Sequence, residues 1–276
     1  MLDAANLRSL LFVPANRPER ITKALESEAD GVIVDLEDAV PVDQKAEARQ
    51  LLDNFLLANP DVEILVRINS IASPEFSQDL SLCARHAGIV GIMLPKAESS
   101  TEVEQVHVRS GKPVWPLIET AGGILGLTDI VSTEGVLRLS LGALDMTTDL
   151  ALEAGSVGAE QILNHCRYQL VICSRAAGLP TPIESVVPDI GDLDGVGRVA
   201  RSALEMGFGG MLCIHPRQLD PVHQAFLPNK EQLAWARRVL VEADLVSGAA
   251  FKLDGQMVDA PVIARARQVL ARGGHE

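Results

Sequence analysis

Eight short apolar runs punctuate the first 216 residues, and helix-patterned segments separate them. The runs are LRSLLFVPA (7–15), GVIVDLED (31–38), EILVRINS (63–70), GIMLPKAE (91–98), VWPLIET (114–120), LRLSLGALD (137–145), PIESVVPD (182–189) and GGMLCIHP (209–216). They are continuous rather than alternating, the pattern of parallel strands covered on both faces. Between them lie amphipathic stretches such as 17–27, with Ile21, Ala24 and Leu25 on one stripe, and 42–59. The segment 156–178 opens on Ser156, a good N-cap, and closes on Gly178, a good stop. Eight strand-then-helix units predict an α/β fold, a (β/α)8 TIM barrel over 1–226. Strand counting alone leaves a doubly wound open sheet as the alternative. Beyond 226 the pattern changes to a helix over 229–246, a Gly-rich turn at Ser247-Gly248, a hairpin about Asp254-Gly255 and a last helix. Residues 227–276 are therefore expected to form a C-terminal helical appendage.

Composition narrows the class of function. At 276 residues and 47% hydrophobic content, the chain has enough apolar material for one large domain with an appendage. Its net charge of -13 argues against nucleic acid as a partner. Local Arg and Lys can still receive a small anion. Cys83, Cys166, Cys173 and Cys213 show no CxxC spacing and are expected to be reduced and buried, as in a cytoplasmic protein. The first twenty residues show no basic segment leading into a signal-length apolar run, and no stretch has the ~18 apolar residues of a membrane span.

Polar residues collect at the ends of the predicted strands, where a barrel carries its chemistry. Asp35 and Glu37 share a face after strand two, as do Arg67 and Asn69 after strand three. Lys96 and Glu98 follow strand four, Glu119 ends strand five, Asp145 strand six and His215 strand eight; Asn16 and Arg17 follow strand one. Taken singly, each has a bland reading: a helix cap, a structural ion pair, a packed histidine. Taken together, groups of both signs at so many strand ends describe a lined cavity. Glu119 and Asp145 end neighbouring strands and suit a hard divalent ion such as Mg2+. A general acid/base pair is the competing role. Zinc is disfavoured, because the sequence has no HExxH and no Cys/His cluster. Arg67 and Arg17 would grip a substrate carboxylate. Gly122 and Gly123 would let backbone approach the ligand at a helix N-terminus.

The stretches RSLLFVPANRPER, DGVIVDLEDAV, VRIN, GIMLPKAES, PLIETAGG, LGALDMTTDL, IHPRQL and DGQMVDAP, spread over residues 8 to 261, resemble the citrate lyase β-subunit-like family within the HpcH/HpaI aldolase and malyl-CoA lyase group. The resemblance implies a (β/α)8 barrel with Mg2+ on Glu119 and Asp145, and Arg67 on a keto-acid carboxylate. It implies a lyase cleaving a 3-hydroxy-carboxyacyl thioester, citramalyl-CoA or malyl-CoA, to acetyl-CoA and a 2-keto acid. It also implies a homo-oligomer, commonly a trimer, whose C-terminal segment packs on a neighbour. Spacing alone reads Asp259 as the cap of the last helix before Pro261; the resemblance instead makes it the acid/base of the adjacent subunit's site. Asp259, Arg67 and Glu37 are thus the expected catalytic residues, and Arg67, Arg17, Lys96 and Gly122 the expected substrate contacts. Alternatives are a citrate lyase β-subunit acting on an acyl-carrier-protein thioester, and a non-catalytic barrel subunit. The chain departs from the family pattern at Leu144, often Glu, at Met211, usually Lys, and at Ala15, often Gly.

Overall fold

The apolar runs become eight parallel strands that close into one barrel in chain order. They are β1 (Ser9–Pro14), β2 (Gly31–Asp35), β3 (Ile64–Arg67), β4 (Ile89–Leu94), β5 (Val114–Ile118), β6 (Ser140–Leu141), β7 (Ile183–Glu184) and β8 (Gly210–Cys213). The computed structural model describes residues 3, 5–245 and 250–273. Helices α1 (Pro18–Leu25), α2 (Lys45–Ala58), α3 (Phe76–Arg85), α4 (Ser100–Ser110), α5 (Ala121–Val131), α6 (Ala143–Asp149), α7 (Val157–Ala176), α8 (Leu193–Met206) and α9 (Leu219–Phe226) follow the strands. Local chemistry sets their ends. Ser99 and Glu102 form a reciprocal capping box on α4, which stops at Gly111 with φ 68°. Ser156 caps α7 through the Ala159 N–H, and Gly178 follows that helix with φ 71°.

Two strands are much shorter than the runs that encode them. The expected strand over 137–145 keeps only Ser140 and Leu141, because the chain leaves the ladder at Gly142 and winds into α6. Its neighbour over 182–189 keeps only Ile183 and Glu184, paired with Ser140 on one side and with Gly210 and Met211 on the other. The interior is filled by inward residues of the strands, Leu10, Ile33, Leu65, Met93, Trp115, Leu117, Ile183 and Leu212. Gly91 makes room for the indole: a Cβ there would lie 2.9 Å from Trp115 Nε1 and 2.8 Å from Leu65 Cδ2. At the opposite end from the strand C-termini, buried Arg138 donates to the carbonyls of Thr181 (2.6 Å) and Leu7 (2.9 Å). Burial pulls its pKa down to about 9. The four cysteines are free thiols; Cys83, Cys166 and Cys213 are buried, while Cys173, expected inside, is only half-buried on α7.

A second compact unit begins at His223, inside α9. It contains α10 (Lys230–Leu245), the antiparallel pair β9 (Phe251–Leu253) and β10 (Gln256–Val258), and α11 (Ala260–Gly273). The hairpin turn falls at Asp254 (φ 48°) and Gly255 (φ 83°), both left-handed, as a two-residue connection of this hand demands. Its core is Ala236, Val239, Ala243, Val258, Ile263, Ala266 and Val269. The Gly-rich turn at Ser247-Gly248 lies outside the described residues. No described helix is long and apolar enough to cross a membrane.

Candidate active site

A cavity of about 230 Å³ opens among the C-terminal ends of the strands. Asp35, Asp38, Arg67, Glu119, Asp145 and Ser185 supply its polar lining, and Phe12, Leu117, Leu144, Val186, Leu212 and Ile214 its apolar one. The polar groups are not spread evenly. They fall into two charged assemblies joined by Glu37.

The first assembly is built on Arg67, the last residue of β3. Its Nε and Nη2 donate to Asp35 Oδ1 (2.8 Å) and Oδ2 (2.6 Å), a bidentate pair across the β2–β3 ladder. Asp35 is itself fixed, because its two oxygens also accept the backbone N–H groups of Glu37 (2.9 Å) and Ala39 (3.0 Å). The guanidinium lies 4.7 Å from the centroid of Phe12, and its Nη1 is 3.2 Å from Glu37 Oε2. Burial pulls the Arg67 pKa down, but Asp35 and then Glu37 more than offset it, and the cation stays charged. Two of its five N–H groups go to Asp35; Nη1 is the part that Asp35 does not take.

The second assembly surrounds Lys96, which follows β4 with a left-handed backbone (φ 50°). Few residues with a side chain adopt that conformation. Here it turns the Lys96 N–H onto Glu119 Oε1 at 2.9 Å. The ammonium then faces three carboxylates: Glu37 Oε1 at 2.9 Å, Asp145 Oδ1 at 3.7 Å and Glu119 Oε1 at 3.8 Å. Glu119 is 1% exposed. Burial first, and the charge of Asp145 second, push its pKa up to about 8. Burial raises Glu37 as well, although Arg67 and Lys96 oppose the shift. Burial would lower the Lys96 pKa, but its hydrogen bond to Glu37 and the three negative charges raise it. Gly142 leaves the space that the Glu119 side chain fills: a Cβ there would lie 2.6 Å from Glu119 Cβ and closer still to Oε2.

Asp145 reaches this cluster from a helix. It stands in the first turn of α6, after the Gly142 cap, where the helix dipole favours a carboxylate. The predicted pairing of Glu119 with Asp145 is therefore present, although only Glu119 belongs to a strand end. Asn69 does not join Arg67. Beyond the end of β3 it turns to Asp79 Oδ2 (2.6 Å) and the carbonyl of Leu36 (2.9 Å). His215 is a half-buried cap whose Nδ1 accepts the Arg217 N–H, and not a packed core residue. Arg17 is exposed at the N-terminus of α1. Gly122, in the first turn of α5, packs against Glu98, whose Cδ would be 2.7 Å from a Cβ. Asp259 is exposed and caps α11, with Oδ1 3.4 Å from the Val262 N–H. Sequence reasoning overlooked Asp38 and Ser185. Ser185 follows directly on β7, and its hydroxyl accepts the Ala143 N–H at 2.9 Å, fixing the start of α6. The signal is the Glu184-Ser185 pair, a polar break inside the apolar run 182–189 where the strand in fact ends.

Comparison with known proteins agrees with this fold. The model of the HpcH/HpaI aldolase/citrate lyase family matches residues 8–216. A citrate lyase subunit beta-like protein of Mycobacterium tuberculosis is 38% identical over 267 residues, 96% of this chain and 94% of the relative. A (3S)-malyl-CoA thioesterase of Cereibacter sphaeroides is 30% identical over 278 residues, 98% and 95% of the two chains. Among solved structures, CitE of M. tuberculosis in complex with magnesium, acetoacetate and coenzyme A superposes with a TM-score of 0.88 at 36% identity, covering 99% of this chain and all of that one.

Proposed function

The chain belongs to the HpcH/HpaI aldolase/citrate lyase family, and from that premise we propose that it is a Mg2+-dependent carbon–carbon lyase. Its substrate would be a 3-hydroxy-carboxyacyl thioester, citramalyl-CoA first and malyl-CoA next, and its products acetyl-CoA and a 2-keto acid. The observation that carries this reading is the convergence of Glu119 and Asp145 on one cation at the edge of a cavity with an arginine in its wall.

The residues fit a hard divalent ion. Glu119 is buried beside a second carboxylate and is pushed up to about 8, so a bound cation would relieve its desolvation and the repulsion together. Carboxylate oxygens are the donors Mg2+ prefers, and it commonly takes only one or two from the protein. Magnesium is named for CitE of M. tuberculosis, which supports the same ion here. Glu119 and Asp145 would hold it. When bound, it supplies a Lewis acid and a template for substrate oxygens.

The chain's own groups would do the rest. Arg67, held rigid by Asp35, orients the substrate carboxylate and offsets its charge through Nη1. Glu37 does not line the cavity; it accepts a hydrogen bond from Lys96 Nζ and lies beside Arg67 Nη1 without a hydrogen bond to it, and its part is to position the lysine and hold the guanidinium electrostatically. The apolar wall of Phe12, Leu117, Val186 and Leu212 would give the bond being broken a less polar surrounding than water. Cleavage moves the substrate hydroxyl proton to a base and leaves a thioester enolate that must gain a proton. We assign that acid/base to Asp259 of a neighbouring subunit in a homo-oligomer, a trimer. Lys96, Arg17 and Gly122 complete the substrate contacts, and the thiol inventory and thioester chemistry suit the cytoplasm.

The test is a cleavage assay of the purified chain on citramalyl-, malyl- and citryl-thioesters, on CoA and on acyl-carrier protein, with Mg2+ or EDTA. Keto-acid release that needs Mg2+ is expected, with CoA esters preferred. Activity only on a loaded carrier protein would select the citrate lyase β-subunit reading. Free thiol without keto acid would make the chain a thioesterase. No release from any ester would leave a non-catalytic barrel. Glu119→Gln and Asp145→Asn should each weaken Mg2+ binding sharply with the fold intact.

A further inference from the structure

The ammonium of Lys96 stands where the Glu119–Asp145 pair needs a positive charge. Its distances to the two nearest oxygens of that pair, 3.8 and 3.7 Å, are nearly equal. Its hydrogen bond to Glu37 is far tighter, at 2.9 Å. The side chain is thus anchored at one carboxylate and loosely shared by the other two. The strained backbone at φ 50° fixes this arrangement, since it also places the Lys96 N–H on the Glu119 oxygen that the ammonium faces. The Lys96 side chain as a whole is 38% exposed, so it has room to withdraw toward solvent.

From these contacts, and resting on the reading of Glu119 and Asp145 as the metal pair, we propose that Lys96 is the resident counter-ion of that pair and cedes it to the divalent cation. Two cations cannot share the same two oxygens without strong repulsion at such distances. The ammonium neutralises the acidic cluster while the metal is away, and Glu37 keeps it tethered when the metal arrives. The site is thereby protected from self-repulsion in one state and keeps a positive charge close to hand for the substrate in the other. The contact also sets metal affinity: every binding event must first break the Lys96 contacts, so the lysine weakens Mg2+ binding.

Two measurements on the full chain test this. The first is calorimetric titration with MgCl2 of the wild type, of Lys96→Met and of Lys96→Gly; glycine adopts φ 50° without strain and so preserves the backbone. Both variants should bind Mg2+ about tenfold tighter or more, because a competing unit charge is gone. The second is labelling of the wild type with an amine-reactive reagent, read by mass spectrometry at Lys96. Label at Lys96 should rise severalfold on adding MgCl2, while label at exposed Lys23 and Lys252 stays constant. Unchanged or weaker Mg2+ binding in both variants, or unchanged Lys96 labelling in a wild type shown to bind Mg2+, would overturn the counter-ion role alone. A wild type that binds no Mg2+ would overturn it together with the metal assignment.

Discussion

At the scale of single residues, Arg67 and Glu119 carry the site by opposite means. Arg67 is held by two parallel hydrogen bonds that a lysine cannot reproduce. Arg67→Lys should lower kcat/KM roughly 10²-fold, the loss of ~3 kcal/mol of charge-assisted bonding. A near-normal value in steady-state assays would remove it from the substrate. Glu119 is held against its own charge. Its pKa rises from 4.5 unfolded to about 8 folded. Because the folded value is the higher one, the contribution to stability is full below pH 4.5 and is lost as pH climbs toward about 8. Melting temperatures in EDTA should therefore fall between pH 5 and 8 more steeply for the wild type than for Glu119→Gln. Equal slopes would show that Glu119 ionises freely. Both residues were legible in the sequence, because charged groups that end apolar runs must find partners. Their partners were less so. The period of two put Asn69 beside Arg67, but that argument holds only while the strand continues, and β3 stops at Arg67. Freed from the ladder, Asn69 turned to Asp79.

At the scale of elements, the strands were readable because parallel strands buried on both faces leave continuous apolar runs. Where strands six and seven end was not readable. The run through 137–145 is apolar whether it is strand or the buried turn of a helix, and periodicity cannot separate the two over so few residues. That ambiguity hid Asp145 on α6 rather than at a strand end. Gly142, at the junction, ties element to site. Gly142→Ala is compatible with its backbone (φ -108°), yet the new methyl would meet Glu119. We expect a loss of ~1–3 kcal/mol in stability from overpacking and a larger proportional loss of Mg2+ affinity, measured by denaturant melts and metal titration. Normal Mg2+ affinity in a folded Gly142→Ala protein would mean that Glu119 does not need that space. Gly91→Ala, which crowds Trp115 in the interior far from the carboxylates, should cost similar stability and spare metal binding.

At the scale of the whole molecule, the barrel carries Glu119, Asp145 and Arg67, and the unit that begins at His223 carries Asp259. Asp259 caps α11, and asparagine caps a helix as well as aspartate. Asp259→Asn should hence keep its melting temperature while losing ~10²–10⁴-fold in rate. A cap without chemistry would leave both unchanged. Mixed oligomers of Asp259→Asn and Glu119→Gln subunits should regain part of the activity that each lacks alone. If mass spectrometry confirms mixing and none returns, Asp259 does not serve a neighbour's site. The brevity of β6 and β7 bears on motion as well as on shape. Five residue pairs bind β1 to β2, whereas Ser140 and Ile183 alone register β6 against β7. Amide hydrogen exchange should accordingly begin at that seam, while the β1–β4 staves stay protected. The rim that bears Asp145 and Ser185 should then be the part that breathes, and the rim that bears Arg67 the anvil that stays still.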